Sequence, residues 1–307
     1  MTLEPSEFGP NRILPAGTKI VLRTPSGIGG NVGVIIGSPT DPYHSYRIRL
    51  VDGTERALSR AEFGVLKEVQ VTGLKKPERT STIEPLPQQI IYRCVIGSRA
   101  YGLAHDDSDT DIRGIFIPSA NAHWSLFGVP DQLESDETQE CYWELQKFLM
   151  LALKANPNVL ECLYSPEVLH VAPLGSELLD MRSVFLSKLV YQTYNGYVLS
   201  QFKKLEQDMR TRGDIRWKHA MHLIRLLLSG IVALRDRFVP VRVEDHREQL
   251  LAIKQGVVAW ETVNAWRLQL HAEFDSTYAA TSLPDRPDYQ RVNEFLVKAR
   301  RSRVNHD

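Results

Sequence analysis

The chain has 307 residues, more than the roughly 100–200 of a usual single domain, so two or three domains are expected. At 43% hydrophobic and 24% charged it is composed like a folded globular protein, which excludes a disordered, collagenous or low-complexity chain. Lysine and arginine number 37 against 37 aspartate and glutamate, so the net charge marks out neither nucleic acid nor an acidic membrane as partner, and any attraction for phosphate has to be local. The three cysteines, Cys94, Cys141 and Cys162, are far apart and form neither a CxxC pair nor a disulfide framework, which reads as a reducing compartment without zinc. No apolar run has the length of a membrane span and the N-terminus lacks a leader pattern, so the expected location is cytoplasmic, away from the membrane.

Residues 1–71 read as strands between turns. TKIVLR (18–23), GVIIG (33–37) and YRIRLV (46–51) are β-branched and aromatic-rich, while PSGIGGN, SPTDP and DGT are turn chemistry. They predict a small SH3-like or KOW-like β-barrel, either a docking and stabilising module or a nucleic-acid-binding one. Residues 72–87 (TGLKKPERTSTIEPLP) have the composition of a connector. Residues 88–175 alternate strand and helix patterns: the apolar run IIYRCVIG, a Gly-Ser turn, an Asp-rich loop, a strand over 109–117 and an amphipathic helix over 142–155, which predict the sheet domain that carries the chemistry. Residues 176–307 are dominated by helical periods at 186–205, 217–235, 243–254, 259–280 and 291–303, a helical bundle packed on that sheet. The fold class is α+β.

The informative segment is Val95-Ile96-Gly97-Ser98-Arg99-Ala100-Tyr101-Gly102, followed by an acidic loop in which Asp106, Asp107, Asp109 and Asp111 fall within six residues. Gly97-Ser98 suits a tight turn ending a buried strand, with Ser98 capping a short helix. The same geometry lets a phosphate approach the glycine backbone and meet the N–H groups of a helix start. Strand alternation over 109–117 places the Asp109 and Asp111 carboxylates on one face, where a hard cation such as Mg²⁺ relieves their repulsion.

Hydrophobic-Gly97-Ser98, then Asp109-x-Asp111, resembles the signature of the DNA polymerase β-type nucleotidyltransferase superfamily. More narrowly, GSRAYGLA with DSDTDIRGIFIP is similar to a predicted nucleotidyltransferase group linked to RNA repair, and further matching stretches extend the resemblance over residues 90–301. It implies a mixed sheet with flanking helices and transfer of a nucleoside monophosphate from an NTP to an acceptor hydroxyl, with pyrophosphate released. It implies catalysis by Asp109, Asp111 and a third carboxylate on the next strand, holding Mg²⁺ or Mn²⁺, and NTP phosphates held by Gly97, Ser98 and Arg99. The chain departs from the pattern at that third carboxylate: Gln139 stands near the position where relatives carry an acid, leaving Glu140 as the candidate and Glu144 as the reserve.

Lys218, His222 and Arg225 fall at i, i+4 and i+7 of one helix, and residues 199–225 hold seven lysines and arginines against three acids. This cationic stripe suits a triphosphate or polynucleotide facing the acidic loop. An RNA end is the expected acceptor. A protein hydroxyl, a small molecule such as an aminoglycoside, and a non-enzymatic nucleotide- or RNA-binding protein remain alternatives, and a metal hydrolase built on His105 is a weaker one.

Overall fold

The computed structural model describes residues 13–24, 27–41, 43–73, 86–106, 108–135, 137–212 and 215–304. The chain divides into two compact units, Met1–Thr80 and Ser81–Asp307. Asp107, part of the acidic run, lies outside the described residues.

The first unit contains β1 (Lys19–Thr24), β2 (Gly27–Gly37), β3 (Tyr46–Leu50), β4 (Glu55–Leu58) and β5 (Phe63–Val65), then helix α1 (Leu66–Gly73). The strands form one antiparallel sheet in the order β4-β3-β2-β1-β5. In β3, Tyr46, Ile48 and Leu50 are buried while Arg47 and Arg49 are exposed, the period-two pattern of a half-buried strand. Those residues pack with Leu14, Ile20, Ile35 and Phe63 into the unit's own core. Two expectations are corrected here. The end strands β4 and β5 do not pair among the described residues, so the sheet is open and no closed barrel is seen. The stretch read as a turn, PSGIGGN (25–31), belongs to β2 from Gly27 on, its ladder with β1 reaching Gly27, while residues 25 and 26 lie outside the described residues.

The second unit runs through α2 (Leu86–Gln89), β6 (Ile90–Ile96), α3 (Gly97–Ala100), β7 (Asp111–Phe116), α4 (Ala120–Trp124), β8 (Gln132–Ser135), β9 (Glu140–Glu144), α5 (Leu145–Leu153), α6 (Pro157–Leu163), β10 (Val168–Val171) and α7 (Pro173–Asp180). Five longer elements follow: α8 (Leu189–Arg212), α9 (Trp217–Asp236), α10 (Arg247–Lys254), α11 (Trp260–Ala280) and α12 (Tyr289–Arg301). The sheet order is β10-β6-β7-β9-β8, with β7 and β9 parallel and the other pairs antiparallel. The helix expected from Tyr142 begins instead at Leu145. Glu140–Glu144 is strand because Cys141, Tyr142 and Trp143 suit a buried ladder position beside β7, and the Glu144 carboxylate then caps α5 by accepting from the N–H groups of Gln146 (2.8 Å) and Lys147 (3.3 Å).

Sheet and helices share one core: Cys94 of β6 and Phe148 of α5 belong to the same buried cluster as Tyr194 of α8, Ile224 of α9, Phe274 of α11 and Phe295 of α12. All three cysteines are buried and free. Among the described residues no helix is long and apolar enough to cross a membrane.

Candidate functional site

β6 ends at Ile96, and the chain turns at Gly97 with φ +73°, a left-handed conformation that side chains other than glycine rarely adopt. The register pairs Ile96 with Asp111, so the turn and the first residue of β7 meet at one end of the sheet. A Cβ built on Gly97 would lie 2.5 Å from the Asp111 carboxylate oxygen Oδ2. Gly97 is therefore required twice, for its backbone angle and for the space that Asp111 fills. Arg99 reaches back over the acidic loop, donating to the Ser108 carbonyl at 2.6 Å, and the His105 N–H donates to the Ser108 hydroxyl at 2.9 Å. Arg99 thus holds the loop closed. Asp109 is exposed in that loop, two residues before the start of β7, so strand alternation does not set its direction.

The third carboxylate is the main correction. Glu140 pairs with Ile112 and Tyr142 with Gly114, whereas Asp111 and Arg113 alternate onto the opposite face of β7. On Glu140's face the Tyr142 ring packs over the bare Cα of Gly114, where any side chain would overlap it. The Tyr142 hydroxyl donates to Glu140 at 3.0 Å, and Arg93 forms an ion pair with Glu140 at 2.6 Å. Glu140 is consumed in that cluster and faces away from Asp111. One step back in the same register stands Gln139, whose carbonyl accepts from the Ile112 N–H at 3.1 Å. Glu144, the reserve candidate, is buried at the α5 cap with His123 and Arg300 within 3.5 and 3.7 Å, and burial raises its pKa. Among the described residues no group of three His, Cys, Asp or Glu is placed to hold a metal. Asp111 opens β7 beside the Gly97 turn, while Asp109 precedes the strand in the exposed loop.

The helical stripe separates into three fates. Lys218 is exposed. His222 is largely buried, with Arg225, Lys218, His219 and Lys254 close enough to oppose its charge, and desolvation first and these cations second bring its pKa down to about 3. It is neutral at ordinary pH, not the cation expected. Arg225 is only 4% exposed and pairs with the fully buried Glu161 at 2.6 Å; its guanidinium lies 3.8 Å over the Tyr101 ring, whose hydroxyl donates to the other Glu161 oxygen at 2.6 Å. Arg225 thus binds the turn segment to the bundle and is not exposed toward a ligand. Composition alone missed Tyr101, Glu161 and Lys254 as a group. The carbonyls of Tyr101, Gly102 and Leu103 accept in turn from Val243 N–H, Arg247 Nε and Lys254 Nζ at 3.0, 2.8 and 3.1 Å. Arg113 was also missed, although its position two residues after Asp111 on a strand was signal enough to place the two on one face.

The family that Gly97-Ser98 and Asp109-x-Asp111 resemble is also the one that the family comparison finds. Residues 66–298 match a family described as "RNA repair pathway DNA polymerase beta family". The chain belongs to this family. A curated relative from Bacillus subtilis, called "Uncharacterized protein YcgL", is 33% identical over 167 residues, which is 53% of this chain and 62% of the relative. The chain therefore spans less than two thirds of that relative's length. A solved structure of a nucleotidyltransferase-like protein from Exiguobacterium sibiricum covers 77% of this chain and 78% of its own, at 10% identity and a TM-score of 0.25, too slight a likeness to argue from. Within the family match lie the Gly97 turn, β7 and the Tyr101–Glu161–Arg225 anchor, while β1 to β5 precede it.

Proposed function

We propose that the chain transfers a nucleoside monophosphate from an NTP to an acceptor hydroxyl, with an RNA end as the acceptor and pyrophosphate as the leaving group. The observation that carries this reading is the seating of Gly97 on the Asp111 carboxylate, which brings a left-handed backbone turn and an acidic strand start to one point. In the reaction the acceptor oxygen bonds to the α-phosphorus as the bond to pyrophosphate breaks, and the hydroxyl proton leaves to solvent or base. Ser98 and the first-turn N–H groups of α3 would hold phosphate oxygens, since the opening N–H groups of a helix have no intrahelical acceptor. Asp109 and Asp111 would hold a divalent cation such as Mg²⁺ or Mn²⁺, whose chemistry is neutralisation of the phosphate charge. Lys218 and Lys254, which flank His222, would add positive charge beside the same turn. The RNA acceptor follows the family description, the three free, buried cysteines support a reducing, cytoplasmic setting, and the sheet order β4-β3-β2-β1-β5 supports an SH3-like reading of the first unit.

The test uses α-labelled NTPs with Mg²⁺ or Mn²⁺ and a panel of RNA ends, DNA ends and proteins, comparing wild type with Asp109→Asn/Asp111→Asn. Label on RNA that disappears in the double variant is expected. Transfer that survives it unchanged overturns the site. A second reading, a nucleotide- or RNA-binding protein without turnover, is favoured by one observation: Glu140 is tied to Arg93 and Tyr142, away from Asp111. Tight NTP binding with no transfer to any acceptor is its signature.

A further inference from the structure

Between α9, the α9–α10 connection and α11 lies a cavity of about 350 Å³. Leu228, Val232 and Leu270 give it an apolar lining, and the Trp266 indole forms part of its wall. Ser229, only 2% exposed, lines it too, and its hydroxyl has no hydrogen-bond partner among the described residues. Buried hydroxyls are nearly always bonded, so this one points to a ligand that bonds it. The cavity adjoins the segment that follows the Gly97 turn. Its Val243 donates an N–H to the Tyr101 carbonyl at 3.0 Å, and Arg242 Cγ lies 3.8 Å from where a Cβ on Gly102 would stand.

Three arginines line the cavity, and each is matched by an acid outside the lining: Arg225 by Glu161 at 2.6 Å, Arg235 by Asp236 at 3.0 Å and Arg242 by Glu167 at 3.5 Å. Three acids line it as well. Glu273 acts on Arg235 at longer range, while Glu244 and Asp245 form no ion pair among the described residues. The charge left over is therefore negative, and it selects a cation. Glu244 and Asp245 are exposed and so stand on the solvent side, with Ser229 at the buried end. An indole beside the acids attracts a cation further. Burying a second charge among Leu228 and Leu270 is costly, so the group that meets Ser229 is neutral.

We infer that this cavity binds an amino alcohol, with its primary ammonium at Glu244 and Asp245 beside Trp266, its apolar stem over Leu228, Val232 and Leu270, and its hydroxyl bonded to Ser229. An ionised carboxylate only accepts hydrogen bonds, so it calls for the N–H donors of a primary ammonium, which a quaternary one lacks. The inference is independent of the nucleotide-site reading, since Gly97, Asp109 and Asp111 take no part in it.

Isothermal titration calorimetry of the full chain with aminopentanol tests the inference without any turnover. Wild type should bind one molecule per chain, at least about fivefold more tightly than pentylamine, which lacks the hydroxyl, or pentanediol, which lacks the charge. Glu244→Gln/Asp245→Asn, a change confined to exposed side chains, should weaken aminopentanol at least about tenfold. Glu206→Gln/Glu261→Gln removes the same charge from exposed positions outside the cavity lining and should leave the affinity unchanged. Trp266→Leu should weaken binding about fivefold, and Trp266→Phe, which keeps an aromatic face, should restore most of it. No binding up to about 10 mM, no preference over pentylamine and pentanediol, an equal fall in the two charge variants, or full affinity in Trp266→Leu overturns the inference. Label transfer in the Asp109→Asn/Asp111→Asn comparison is read separately, so the two readings stand or fall apart.

Discussion

Replacing Gly97 with alanine adds one carbon, and both consequences are set by its neighbours. The new Cβ would lie 2.5 Å from Asp111 Oδ2 and would have to adopt φ +73°, so the carboxylate must swing away and the turn is strained by about 1–2 kcal/mol. Gly97→Ala is expected to cut NTP-dependent labelling by about 100-fold, the usual cost of displacing a reacting group by an ångström, with only a modest fall in melting temperature. Gln139 offers the opposite experiment. Its φ of 53° is left-handed, a region that asparagine tolerates better than glutamine, so Gln139→Asn should stabilise the fold by up to about 1 kcal/mol in a denaturant titration. His222 gives a pH dependence. Its folded pKa, about 3, lies below the ordinary 6.5, so the folded state binds fewer protons than the unfolded one. Its contribution is intact above pH 6.5 and is lost as pH falls from there toward 3, by about 1.4 kcal/mol per pH unit. Stability curves at pH 7.5 and 5.5 should therefore diverge in wild type and draw together in His222→Leu.

At the scale of elements, the Gly97–Leu103 turn is a short segment whose position is imposed by its partners. Tyr101 is clamped by Glu161 of α6 and Arg225 of α9, and its carbonyl and those of Gly102 and Leu103 are held from the α9–α10 connection and α10. Removing the charge of Glu161 leaves a buried guanidinium unpaired. Glu161→Gln should therefore cost about 3–5 kcal/mol, whereas Tyr101→Phe, which removes one hydrogen bond to a charged group, should cost about 1.5–3 kcal/mol; chemical unfolding of each variant decides it. The element boundaries show what local pattern can carry. The helical periods at 217–235 and 259–280 correspond to α9 (Trp217–Asp236) and α11 (Trp260–Ala280), because a long amphipathic period survives tertiary packing. The pattern at 142–155 mixed the end of β9 with α5, because Tyr142 and Trp143 are apolar in either state and only pairing with β7 makes them strand.

On the scale of the whole molecule, the two units have separate cores. The second unit's cluster runs from Ile91 to Ala299 without a residue of the first. A chain starting at Ser81 is expected to unfold cooperatively and to keep Mn²⁺ and NTP binding, measured by circular dichroism and calorimetry; failure to fold would show that the first unit is part of the folding unit. The sheet and the bundle, by contrast, do not separate, since Cys94, Phe148, Ile224 and Phe295 share one core. The neutral net charge hides this organisation, because acidic loop and basic helix lie in the same unit.

By itself the sequence determined the composition class, the long helices and the turn at Gly97, all of them properties of neighbours along the chain; Ser98, read as a helix cap, lies inside α3 with no capping bond, and β7 starts only at Asp111. Which carboxylates meet was decided by tertiary structure. A one-residue difference in strand register sends Glu140 to Arg93 and leaves Gln139 and Arg113 beside Asp111, and a pleated strand turns successive side chains to opposite faces. Burial likewise decided the stripe on α9, where desolvation makes His222 neutral and Glu161 consumes Arg225. Spacing along a helix says which residues share a face, but only the packed structure says whether that face is wet.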